Sequence, residues 1–232
     1  MTVVKAFNYL DGCLHAEQVS CEAIAREHGT PTFVYSRAAI ESRYRQIETA
    51  LSGVRHRICY AVKANSNLAV LNVLARLGAG FDIVSIGELE RVIAAGGQPS
   101  KAVFSGVGKR ADEMLHALRA GVHCFNVESA EELDVLASCA HELGVRARMS
   151  LRVNPDVDAQ THPYISTGLK RNKFGVAIED ARELYLYAAT LLSLEVVGVD
   201  CHIGSQLTEP APMMDALARV RALVDELEAH GV

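Results

Sequence analysis

The chain has 232 residues, 50% of them hydrophobic and 22% charged, so it can bury a core and is not a disordered segment. A formal net charge of -5 argues against a nucleic-acid surface, and no apolar run approaches the ~18 residues of a membrane span. None of the six cysteines forms a CxxC pair or has metal-ligand spacing, and the opening residues lack a signal-peptide apolar stretch. The sequence therefore predicts no metal site and a reducing, cytoplasmic setting.

Residues 1–31 contain one short helix, at about 21–28, and little other periodic pattern. From residue 32 onward, strand-like runs are predicted at 32–36, 57–63, 80–85, 102–106, 123–128, 147–154 and 195–204. Amphipathic stretches follow each of them, at 37–51, 68–77, 87–95, 111–120, 129–143, 178–192 and 212–230. Ser129, with Glu132 three residues on, is a capping-box start. Gly121 and Gly144 are helix stops. Cys59, Cys124 and Cys201 fall in apolar runs and are expected to be buried.

Successive βα units predict a parallel sheet covered by helices, either an open doubly wound sheet or a closed (β/α)8 barrel. No Gly-x-Gly-x-x-Gly opens a helix after the first strand, which disfavours the dinucleotide-binding form. Polar residues gather at strand ends: Lys63, Asp82 with Ser85, Arg152 with Asn154, and Asp200 with His202. A barrel collects such ends on its catalytic face. The expected fold class is therefore α/β, a TIM-like (β/α)8 barrel. Seven predicted strands of eight lead to the expectation that the barrel is incomplete at its C-terminal end. The predicted division is a segment 1–31 and a partial barrel 32–232.

Lys63 closes the apolar run Ile58-Cys59-Tyr60-Ala61-Val62 and precedes the polar Asn65-Ser66-Asn67. A lysine desolvated at a strand mouth becomes a nucleophile toward carbonyls, the use that pyridoxal phosphate (PLP) enzymes make of their Schiff-base lysine. A lysine snorkelling from a strand end is the plainer alternative. In Val199-Asp200-Cys201-His202-Ile203-Gly204-Ser205, Asp200 and His202 share a face by alternation, and Gly204-Ser205 offers a hydroxyl and backbone N–H groups to an anion. In Gly80-Phe81-Asp82-Ile83-Val84-Ser85-Ile86-Gly87-Glu88, Asp82 is either a loop carboxylate or a charge partner for an amine. A buried Arg152 requires a partner, which a cofactor site would supply. Gly106-Val107-Gly108-Lys109 is not a phosphate-binding P-loop, since Val103 and Arg110 stand where glycine and Ser/Thr are required.

Four stretches carry a resemblance: Cys-Tyr-Ala-Val-Lys-Ala-Asn-Ser-Asn, Gly-Ala-Gly-Phe-Asp-Ile-Val-Ser, the run from Ser150 to Lys170, and Val-Asp-Cys-His-Ile-Gly-Ser-Gln. Together they resemble the alanine-racemase-like PLP decarboxylases, and most closely the N-terminal part of the diaminopimelate decarboxylase family. The resemblance runs from Ala6 to Val232. It implies a fold type III barrel with PLP on Lys63, His202 against the cofactor ring, and Ser205, with Gly204, at the phosphate. It further implies Asp82 and Glu88 as catalytic carboxylates, Arg152 near the cofactor, and Lys173 at a subunit contact. Ile86 departs from the arginine common at that position. The implied activity is decarboxylation of meso-diaminopimelate to L-lysine and CO2, by a homodimer when full length. Members of the family continue into a further phosphate loop and a β-domain on which residues 1–31 would pack, so the chain resembles a partial form whose activity alone is doubtful. Rival readings are a single-domain PLP-binding protein of cofactor homeostasis, another basic amino-acid decarboxylase, or a non-catalytic paralogue.

Overall fold

The computed structural model describes residues 5–157, 174–205 and 207–232. It divides into two compact units, one of Met1–Phe81 with Arg91–Gln98 and the other of Asp82–Glu90 with Pro99–Val232.

The first unit opens with strands β1 (Phe7–Leu10), β2 (Cys13–Ala16) and β3 (Val19–Ser20), an antiparallel sheet in that order. This sheet was not expected from the sequence. Asp11 and Gly12 take φ of 48° and 79° between β1 and β2, the left-handed pair of a two-residue hairpin turn, which Asp-Gly favours. Helix α1 (Cys21–His28) follows, with Ser20 Oγ accepting from the Glu22 N–H at 3.2 Å.

Helix α2 (Arg37–Ala50) begins at Ser36, whose hydroxyl accepts from the Ala39 N–H at 3.0 Å. The strand expected at 32–36 is extended chain with no ladder among the described residues. Phe33 and Tyr35 of this segment are exposed, Phe33 at 89%, while Val34 is half-buried. Strand β4 (Cys59–Ala61) is shorter than its apolar run, because the chain tightens at Val62–Ala64 into a 3-10 turn. Asn67 caps helix α3 (Leu68–Arg76), which buries Val70, Leu71 and Leu74. Strand β5 (Gly80–Ile83) and helix α4 (Ile86–Ala94) run from one unit to the other along the chain. Within the first unit, the Gly80 N–H donates to the Ile58 carbonyl at 2.9 Å.

The second unit repeats one pattern. Strands β6 (Ala102–Phe104), β7 (Cys124–Val127), β8 (Ala147–Asn154) and β10 (Leu194–Asp200) are parallel, in the order β10-β8-β7-β6. Helices α5 (Ala111–Ala120), α6 (Ala130–Glu142), α7 (Ile178–Thr190) and α8 (Ala211–Ala229) alternate with them. A two-residue strand β9 (Val176–Ala177) adds to the end of β8. Such α-covered parallel strands are buried on the helix side, and Ala147, Met149, Leu151 and Val153 of β8 are at most 1% exposed. Phe104, Phe125, Leu133 and Leu136 complete this core. At the start of α6 the Ser129 hydroxyl accepts from the Glu132 N–H at 3.2 Å, and Glu132 accepts from the Glu128 N–H at 3.1 Å. Cys124 is buried as expected, Cys59 is half-buried, and Cys201 is exposed because β10 ends at Asp200.

Candidate active site

Lys63 stands in the middle of the 3-10 turn after β4, one residue beyond the fully buried Val62. The expected desolvation is not found: Lys63 is exposed. Val62 pins the turn into the core, and the next residue projects outward, so the sequence order of one apolar and one cationic residue fixes the amine at the strand mouth.

In the second unit, polar side chains line the face of the sheet opposite the helices. Asn126 stands in register with Ser150, and Glu128 and Arg152 follow two residues later on the same faces. The first layer is a chain of hydrogen bonds. Ser105 Oγ donates to Asp82 Oδ1 at 2.6 Å, Asn126 Nδ2 donates to Ser105 Oγ at 3.1 Å, and Ser150 Oγ donates to Asn126 Oδ1 at 2.6 Å. Asp82 is half-buried within β5, and its carboxylate is thereby tied to three further residues along the strands.

The second layer centres on Glu128, which the sequence reading left unassigned. Its carboxylate accepts from the Gly106 N–H at 3.0 Å and the Gly175 N–H at 3.1 Å, and pairs with Arg152 Nη1 at 3.4 Å. The side chains of Arg152 and Glu128 are 11% and 2% exposed. The partner that the structure gives Arg152 is thus Glu128, with the Phe174 ring 5.3 Å from its guanidinium carbon. Arg152 Nε is buried and without a hydrogen-bond partner among the described residues. A Cβ on Gly175 would come within 2.6 Å of the Arg152 carbonyl, so only glycine permits this approach. The Lys109 side chain is fully buried and paired with Glu132 at 2.6 Å, and it donates to the Gly106 carbonyl at 2.5 Å. It is a structural clamp on the turn after β6.

Asp200 stands opposite Arg152 in the β8–β10 register. Burial pushes its carboxyl from 3.8 up to about 6; Arg152 opposes the shift, and Asp82 and Glu128 add to it. His202 is half-buried two residues beyond the strand, and its Nδ1 accepts from the Gly204 N–H at 3.1 Å. Neutral His202 therefore carries its proton on Nε2. Gly204 takes φ of 142°, and Ser205 beside it is exposed. Glu88 serves the start of α4: its carboxylate accepts from the Val84 N–H at 2.7 Å, and its own N–H donates to Ser85 Oγ at 3.3 Å. Ile86 stands first in the same helix, and its N–H donates to Glu113 at 3.2 Å. Lys173 and Gln206 lie outside the described residues.

Comparison with known proteins fits this arrangement. The model for the pyridoxal-dependent decarboxylases, pyridoxal binding domain, matches residues 37–232. Diaminopimelate decarboxylase of Pseudomonas aeruginosa is 66% identical over 226 residues, covering 97% of this chain and 54% of that protein. The enzyme of the same name from Vibrio cholerae is 59% identical, with 97% and 54% covered. The solved diaminopimelate decarboxylase of Helicobacter pylori, complexed with L-lysine, superposes with a TM-score of 0.89 at 45% identity, covering 91% of this chain and 54% of that one. That of M. jannaschii in complex with L-lysine gives 0.92 at 37% identity, covering 100% and 55%. The chain spans about half the length of the curated relatives it matches. Its alternating parallel strands and helices are those of the TIM-like barrel, and with this match the chain belongs to the pyridoxal-dependent decarboxylases, as a form of their pyridoxal binding domain.

Proposed function

We propose that the chain forms the pyridoxal-binding part of a decarboxylase that converts meso-diaminopimelate to L-lysine and CO2. The observation that carries this reading is 66% identity across 97% of the chain to a diaminopimelate decarboxylase. The H. pylori and M. jannaschii enzymes were solved with L-lysine, which is the product of that reaction.

The residues present fit PLP by the chemistry of their donors. An exposed amine at Lys63 suits an aldehyde, and a buried Arg152 Nε without a partner among the described residues suits an anionic or polar group. When bound, PLP is an electron sink for the charge left as CO2 departs. Lys63 is the covalent anchor. His202 would meet the cofactor ring with its imidazole, whose orientation the Gly204 N–H to Nδ1 hydrogen bond holds. Ser205 and the backbone at Gly204 would hold the phosphate. Asp82 is a catalytic carboxylate whose position the Ser105 hydroxyl fixes. Glu88 is a second one, placed by its bond to the Val84 N–H. Under the same reading residues 1–31 pack on a β-domain, and the full-length form is a cytoplasmic homodimer; the free thiols of all six cysteines accord with a reducing compartment.

A chimaera tests the activity. This chain replaces the matching portion of the P. aeruginosa enzyme, and CO2 release from meso-diaminopimelate is followed. Activity within about tenfold of the parent, and its loss on Lys63→Ala, are expected. A folded chimaera that binds PLP but releases no CO2 would point instead to a cofactor carrier.

A further inference from the structure

Strands β8 and β10 begin in regular parallel register, with Leu194, Glu195 and Val196 opposite Ala147, Arg148 and Met149. The register then shifts, so that Gly198, Val199 and Asp200 stand opposite Ser150, Leu151 and Arg152. Val197 is the extra residue of a β-bulge. Residues opposite one another on neighbouring strands share a face, so the bulge changes which residues of β10 lie together. Strict alternation puts Glu195 and Asp200 on opposite faces. The bulge puts both on the face of Arg148, Ser150 and Arg152. The Arg148–Glu195 ion pair, at 4.0 Å, marks that face at the start of the strand, and the register of Asp200 with Arg152 marks it at the end.

Tyr185 reaches this bulge from α7. The Leu151 N–H donates to its hydroxyl at 3.0 Å, and the hydroxyl donates to the Gly198 carbonyl at 2.8 Å. The Leu151 carbonyl, at 3.4 Å, is a weaker alternative acceptor. Tyr185 is fully buried, and burial pushes its hydroxyl well above the usual range, so it remains a neutral donor and acceptor. A phenol oxygen is thus set between two strands where an extra residue disturbs their ladder. It bonds Gly198 on one side and Leu151, the neighbour of Arg152, on the other. Asp200 follows Gly198 by two residues and His202 by four.

We propose that Tyr185 is a positioning residue for the active site: its hydroxyl holds the β10 bulge, and the bulge sets the direction in which Asp200 and His202 leave the sheet. The proposal rests on the role given above to His202. Its test reads the histidine without cofactor, so it stands apart from the test of that role.

The experiment compares Tyr185→Phe with the unaltered chain and with Tyr187→Phe. Tyr187 lies on the same helix and donates a surface hydrogen bond to Asp134 at 2.7 Å. Amide exchange at Leu151 and the nitrogen resonances of the His202 ring are measured. In the unaltered chain, slow exchange at Leu151 and a single His202 tautomer protonated at Nε2 are expected. Tyr185→Phe should keep the fold, exchange Leu151 at least about tenfold faster, and give His202 a mixture of tautomers. Tyr187→Phe should change neither signal. Fast exchange at Leu151 in the unaltered chain overturns the proposal, as does a Tyr185→Phe chain whose His202 resonances are unchanged. So does a Tyr185→Phe chain that fails to fold, because the hydroxyl would then hold the barrel as a whole rather than its mouth.

Discussion

The two units are built from similarly apolar sequence but use it differently. In the second, Phe104, Leu133, Leu136, Met149 and Leu151 are fully buried, and helices α6 and α7 pack on β8 and β10. In the first, Tyr9 is 73% exposed, Phe33 89% and Val54 61%, alongside a smaller core of Val62, Leu71, Leu74 and Phe81. Both units carry surface ion pairs, Arg182 with Glu226 being one in the second, and they differ in what else is enclosed. The first unit pairs charges on its surface, as in Arg37 with Glu41, where such pairs contribute about 0–1 kcal/mol. The second encloses Lys109, Glu132, Glu128 and Arg152, where loss of one partner leaves a buried charge. A residue's type does not decide its burial; the presence of a second layer does. Lys63 and Lys109 show this most directly: each follows a strand by a few residues, yet one is exposed and the other sealed.

The largest expected effect comes from cutting the dense core. Leu133→Ala should cost about 2–5 kcal/mol of stability by denaturant titration. Phe33→Ala in the first unit should change it by no more than about 0.5 kcal/mol. Equal losses at the two positions would break the comparison.

A smaller effect sharpens its electrostatic side. The Asp200 carboxyl, raised to about 6, holds its proton in the folded chain where the unfolded chain has lost it. Folding therefore binds a proton between about pH 4 and 6, and stability falls as pH rises across that window. Asp200→Asn should remove that part of the slope. Glu17 in the first unit has the opposite sign. The Ala38 N–H and the Ser36 hydroxyl hold its carboxyl below the usual range, so its contribution is present at neutral pH and is lost on acidification. Thermal melts from pH 4 to 7 separate the two. A slope unchanged by Asp200→Asn would show that its burial is not felt.

The repeated helices of both units were legible in the sequence because burial and capping follow local pattern. Ser129 with Glu132, and the stops at Gly121 and Gly144, sit where the 3.6-residue period ends, and both glycines take left-handed φ of 75° and 64°. The N-terminal hairpin was missed although Asp11-Gly12 is a hairpin signal; its strands are only four residues long, too short for alternation to register. The strand expected at 32–36 failed for a different reason: its short run Phe33-Val34-Tyr35 has strand-forming residues, but no ladder forms among the described residues. Among the candidate site residues, strand-end positions singled out Lys63, Arg152 and His202. Glu128 and Tyr185 were not visible, because their roles arise from contacts 24 and 34 residues away in sequence. The bulge at Val197 was missed although Gly198 stands beside it, and a glycine inside a strand run is a bulge signal.

Lys63 carries the central claim, and its chemistry can be read directly. The chain is loaded with PLP, reduced with borohydride, digested and mapped by mass. The account predicts the pyridoxyl group on Lys63, with the buried Lys109 unmodified. A label on any other lysine, with Lys63 unmodified, would contradict it.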